Sequence, residues 1–199
     1  MPAALLAAFL ALWTWAAISP LYRFDWFLEN ILVFLTVPAL VVTYRWFRFS
    51  ATSYVLLFVF VSMHVLGSHW TYNHVPHFYW GPAGAHANVY DRLVHAGYGL
   101  LLTYPAAELF RRAQWATGPR AGVLALQFIV ATSALYEILE WATAVVVDPN
   151  AADAFLGQQG DAFDSVEDMA LAAAGSAVML LGWGAWTVAA GRSKAAKAP

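Results

Sequence analysis

Residues 51–66 read A-T-S-Y-V-L-L-F-V-F-V-S-M-H-V-L. No Lys, Arg, Asp or Glu interrupts the run, and its one imidazole, His64, stands near the end. A helix that crosses a bilayer needs about 20 mostly apolar residues, and this stretch with its flanks approaches that length. Five further segments outward from it have the same character, at about 2–18, 27–44, 90–109, 120–145 and 165–190. The first is expected to be a retained span, since the first basic residue is Arg23 and a secretory signal begins with a basic region.

Composition agrees. The 199 residues are 61% hydrophobic and 11% charged, against about 45–50% and about 25% in soluble domains. A core of this size cannot hide that excess. The ten Trp and nine Tyr suit the interfaces of a membrane. The expected fold is all-α, a compact bundle of about six transmembrane helices over residues 1–191, followed by a short basic tail at 192–199. A net charge of -2 gives no reason to expect nucleic acid. The absence of cysteine rules out disulfides, thiolate metal sites and a thiol nucleophile.

Basic residues orient the path. Arg45, Arg48, Arg111, Arg112, Arg120, Arg192, Lys194 and Lys197 fall on one side of six spans, leaving Arg23 and Arg92 on the other. The positive-inside rule therefore predicts a plasma-membrane protein with both termini cytoplasmic and with 67–89 and 146–164 facing outward. The ionisable residues sort to that outer side. His64 ends one span, and His69, His74, His77 and His86 lie in the expected outer loop. Asp91 and His95 begin another span, Glu137 and Glu140 lie toward the end of the next, and Asp161, Asp164 and Asp168 mark entry to the last.

Residues three or four apart share a helix face, so Asp91–His95, Glu137–Glu140 and Asp164–Asp168 each form a polar stripe. Stripes within spans normally face the bundle interior. Converging carboxylates require shared protons or a bound cation, and carboxylates with neutral imidazoles suit Zn, Mn or Fe better than Mg or Ca. The expected metal ligands are His64, Asp91, His95, Asp161, Asp164 and Asp168. Glu137 or Glu140 is the expected general base, and Arg92 either pairs with an Asp or holds an anionic substrate group.

Plainer readings stand beside these. The loop histidines can simply be solvated, and Trp70–Trp80, with Tyr72, can be an interfacial belt or a lid over a cavity. Asp91, Asp161 or Asp164 can cap a helix, although neither His95 nor Asp168 is placed to do so. Glu108 stands by Arg111 and Arg112 on the opposite side, where an ion pair is the plain reading.

Three stretches carry a resemblance: N-V-Y-D-R-L-V-H (88–95), Y-E-I-L-E-W (136–141) and F-L-G-Q-Q-G-D-A-F-D-S-V-E-D-M (155–169). They resemble the bacterial inner-membrane YjdF-like family, from the second span to the last, and the resemblance implies a compact helical bundle. A shorter, gapped likeness to VanZ-like membrane proteins rests on Asp91, Arg92 and His95, then Asp164, Asp168 and Gly175. It implies work at the cell envelope. Three function classes remain open. The first is a metal-dependent hydrolase or transferase acting on a membrane lipid or lipid-linked envelope substrate. The others are a proton- or cation-coupled transporter and a structural or accessory protein whose polar network fixes packing.

Overall fold

The computed structural model describes residues 2–80, 87–147 and 163–195. The chain runs through α1 (Ala3–Ala17), α2 (Arg23–Glu29), α3 (Ile31–Thr43), α4 (Ala51–His69), α5 (Tyr90–Arg112), α6 (Pro119–Val147) and α7 (Asp164–Ala195). A two-residue antiparallel pair, β1 (Tyr79–Trp80) and β2 (Ala87–Asn88), precedes α5. The fold is an all-helical bundle, with helices in each of the six apolar intervals.

Helices α4, α6 and α7 are long and apolar enough to cross a membrane, and α2 with α3 qualifies as one span bent by 40°. Helix α1 is apolar but has 15 residues. Helix α5 has the length, but Asp91, Arg92, Glu108 and the Arg111–Arg112 pair make it the most polar of the long helices.

The bend falls at Asn30, which is fully buried. Its amide nitrogen donates to Trp26 O at 2.7 Å and Ser68 Oγ at 3.1 Å, and its oxygen accepts from Trp13 Nε1 at 2.8 Å. One amide thus ties the break to α1 and α4 and supplies the hydrogen bonds that a bent span must find inside the protein. Helix α4 runs three residues past its expected end. This corrects the placement of His69 in the loop: its ring stacks on Trp15 at 4.9 Å and its Nδ1 sits 2.9 Å from Ala16 O, which holds the last turn. At the other end, α7 stays helical through Ala195.

Helices α5 and α7 form the tightest interface. The residues Asp91, His95, Gly99 and Thr103 step by four along one face of α5. Asp168, Ala172 and Ser176 do the same on α7, beside Gly175. A β-carbon on Gly99 would collide with Ala172 O and stand 2.7 Å from Ser176 N, and one on Gly175 would collide with Ala96 O. Close approach through small residues is how helices associate when lipid removes the hydrophobic drive. Below the glycines, Thr103 and Ser176 hydroxyls bond at 2.7 Å.

Candidate functional site

The upper end of the α5–α7 seam carries the ionisable groups. One ligand atom from each of Asp91, His95 and Asp168 lies within 4.8 Å of the other two. His95 Nε2 is 3.6 Å from Asp91 Oδ1 and 3.6 Å from Glu137 Oε1 on α6. These distances are too long for hydrogen bonds. Four-coordinate ligand atoms about 2.1 Å from an ion stand about 3.4 Å apart, which the spacing approaches. Asp168 is 2% exposed and Glu137 7%, yet Asp168 Oδ1 and Glu137 Oε1 have no hydrogen-bond partner. Buried polar atoms are nearly always partnered, so the two oxygens call for a proton or a cation. The donor set fits a divalent ion. Glu29 and Asp164 also lie close enough to Asp91 for their charges to interact, and Glu140 does so as well.

The remaining sequence-chosen residues lie around this centre. Arg92 points to α7, with Nη2 2.7 Å from Glu167 Oε2 and 3.9 Å from Asp164 Oδ1. Arg92 is thus partnered by acids of α7, and Asp164 stands between Arg92 and the Asp91, Glu137 and Asp168 carboxylates. His64 is buried on α4, at the same polar end of the cavity as His95. Its Nε2 sits 3.0 Å from Glu29 O, a carbonyl at the α2–α3 break, and its Nδ1 sits 2.5 Å from Tyr72 Oη. Both ring nitrogens are therefore engaged, and His64 has no free lone pair for a metal. Glu140 is near Tyr136, whose hydroxyl donates to Glu29 Oε2 at 3.0 Å. Asp161 and His86 lie outside the described residues.

Four participants escaped the sequence reading: Glu29, Tyr72, Tyr136 and Ser165, the last hydrogen-bonded to Glu137. Glu29 carried a usable signal, because the topology puts it in the same outer layer as the other acids. Tyr72 is reached only through the fold. It enters from the loop after α4 with a positive φ of 56°, and its ring fills the space left by Gly67, where a β-carbon would stand 2.5 Å from it. Burial, and then the negative charge of Glu29, pushes its phenol well above the ordinary range.

A cavity of about 390 Å³ opens below this layer, between α3, α4, α5 and α6. His64, Tyr72, Asp91, His95 and Tyr136 line its polar end, and the rest is chiefly apolar. Far from it, Glu108 proves to be more than a surface ion pair. It is buried and accepts from Ser50 N at 2.8 Å, Ser50 Oγ at 2.8 Å, Ser53 Oγ at 2.5 Å and Arg112 Nη1 at 3.1 Å. It therefore pins the start of α4 to α5.

The chain matches the family described as predicted membrane protein (DUF2238) over residues 1–189. It belongs to that family. It is also 31% identical over 167 residues to the inner membrane protein YjdF of Escherichia coli (strain K12), covering 81% of this chain and 78% of that protein. No solved structure matches it. The DUF2238 chain is thus a membrane protein with a buried His/Asp cluster at one end of an apolar cavity.

Proposed function

We propose that Asp91, His95 and Asp168 hold a divalent transition metal, Zn, Mn or Fe, and that the protein is a hydrolase or transferase acting on a lipid or lipid-linked envelope substrate. The observation that carries this reading is the unpartnered Asp168 Oδ1 within the Asp91–His95–Asp168 group. Such a metal supplies a water of lowered pKa and polarises a carbonyl or phosphoryl oxygen. Glu137, 3.6 Å from His95, is the general base, with Glu140 beside it. Arg92, through Glu167 and Asp164, aligns α5 with α7. Eight basic residues on one side of the expected six-span path support a reading with both termini in the cytoplasm of a bacterial plasma membrane and the cluster in the outer leaflet. The ionisable groups gather at one end of the cavity instead of lining a route across the bundle, which favours chemistry over transport.

Elemental analysis of the detergent-purified protein tests the metal. About one transition metal per chain, lost in both Asp168→Asn and His95→Gln, is the expected result. A wild-type protein that holds none, even after reloading with Zn and Mn, refutes the reading and turns attention to proton-coupled transport.

A further inference from the structure

The apolar part of the cavity has its own geometry. Below the polar layer its walls are Val33 of α3, Leu57 and Val61 of α4, Leu102 of α5 and Phe128 of α6. The step from Asp91 to Leu102 along α5 spans roughly 16 Å at 1.5 Å per residue. That is about half the thickness of a bilayer's hydrocarbon layer. The space is therefore deep, polar at one end and greasy at the other.

The cavity also has a side opening. Leu32 and Phe128 line it, yet they are 40% and 45% exposed on the outside of the bundle. Each has a companion one turn away that lines the cavity too, Thr36 on α3 and Thr132 on α6. These two pairs form the posts of a slot between α3 and α6. Above the slot, the Tyr136–Glu29 hydrogen bond links α6 to the end of α2. In a membrane protein such a slot faces acyl chains. One more group bears on the occupant. Ser133 lines the cavity, is 2% exposed, and its hydroxyl has no hydrogen-bond partner. It lies one turn below Glu137 on α6, where the polar and apolar parts meet.

We infer that the cavity takes one acyl chain of a membrane lipid, which enters between α3 and α6 and places its ester carbonyl at Ser133 Oγ. The lipid's polar group then lies in the Asp91–His95 layer, and this part alone rests on the proposed function. The apolar walls accept the chain without specific contacts. Ser133 supplies the hydrogen bond that fixes its depth. A buried hydroxyl is costly when its hydrogen bond is unmade, so the ester gains where a plain hydrocarbon does not.

The test uses the full-length protein in vesicles of phosphatidylglycerol carrying one diazirine-tagged palmitoyl chain. After photolysis, adducts are mapped by peptide mass. The expected adducts lie on Leu57, Val61 and Leu102. Thr36→Trp, which blocks the slot from an exposed position, is expected to abolish them, whereas Leu35→Trp on the outer face of α3 leaves them intact. Ser133→Ala is expected to lower them about five-fold, the worth of one hydrogen bond. Adducts confined to outward residues such as Leu35, Leu139 and Leu181, or insensitivity to Thr36→Trp, overturn the inference. Metal content measured on the same samples separates the two readings, since inner adducts without metal defeat only the proposed function.

Discussion

The α5–α7 seam sets the width of the candidate metal cluster, and Gly99→Ala tests that coupling. Gly99 lies one turn below His95 on the same face of α5. Its new β-carbon would collide with Ala172 O and stand 2.7 Å from Ser176 N. Carbon contacts settle near 3.5–4.0 Å, so relieving the clash with Ala172 O requires α7 to retreat by roughly 1.5 Å at this level. Overpacking of this kind costs about 1–3 kcal/mol. The better helix propensity of Ala offsets roughly 1 kcal/mol, while loss of the Thr103–Ser176 bond adds about as much back. The net expectation is a loss of about 1–3 kcal/mol, or several degrees in thermal melting. The same retreat carries Asp168 away from Asp91 and His95. Displaced supports typically weaken metal binding about 10–100-fold. The assay pairs thermal unfolding in detergent with zinc titration, using Gly182→Ala as control, because nothing lies within 4 Å of a β-carbon there. A Gly99→Ala protein that melts at or above the wild type refutes the packing argument. Lowered melting with unchanged zinc affinity refutes the coupling between seam and cluster.

Other perturbations reach different parts of the bundle. Glu108→Ala strips three hydrogen bonds from the start of α4 and leaves Arg112 without its carboxylate. It is expected to cost about 3 kcal/mol, and a loss below about 1 kcal/mol in a denaturation series would return Glu108 to the rank of a surface pair. The cysteine-free chain suits accessibility mapping. Asn73→Cys is expected to react with an impermeant maleimide added outside intact cells and Ala113→Cys only after lysis, and the reverse pattern would invert the proposed topology.

The sequence announced some of this and concealed the rest, for physical reasons. Apolar length and the spacing of Asp91 to His95 survive in the fold because both depend on local helix geometry. The choice between Asp164 and Asp168 does not. They share a face, and only the depth at which α7 meets α5 brings Asp168 to Asp91 and His95 while Asp164 lies between them and Arg92. His64 fell in the right layer, but the break after Glu29 offers its ring a backbone carbonyl that no spacing rule foresees. The break itself was masked because Asn30, unlike Gly or Pro, is not a strong punctuator. The glycines of the seam were invisible as well, since a glycine in an apolar run shows its purpose only once a second helix lies against it.

The polar groups along this seam separate a packing network from a site. Lower down, the Thr103 hydroxyl lies 2.6 Å from Gly99 O and 2.7 Å from Ser176 Oγ, and it is fully satisfied in a dry interface. A network that serves packing alone should look like this throughout, because an unpaired buried group costs more than a made bond returns. At the upper end the pattern reverses. Two buried carboxylate oxygens go without partners where α5 borders α7 on one side and the cavity on the other. Asp91 and His95 belong to both surfaces. The tight seam holds their spacing and the cavity gives them access to a guest. Unsatisfied acids placed at that border are expensive as scaffolding and apt for binding a cation beside a lipid, which is why the metal reading is preferred to a purely structural one.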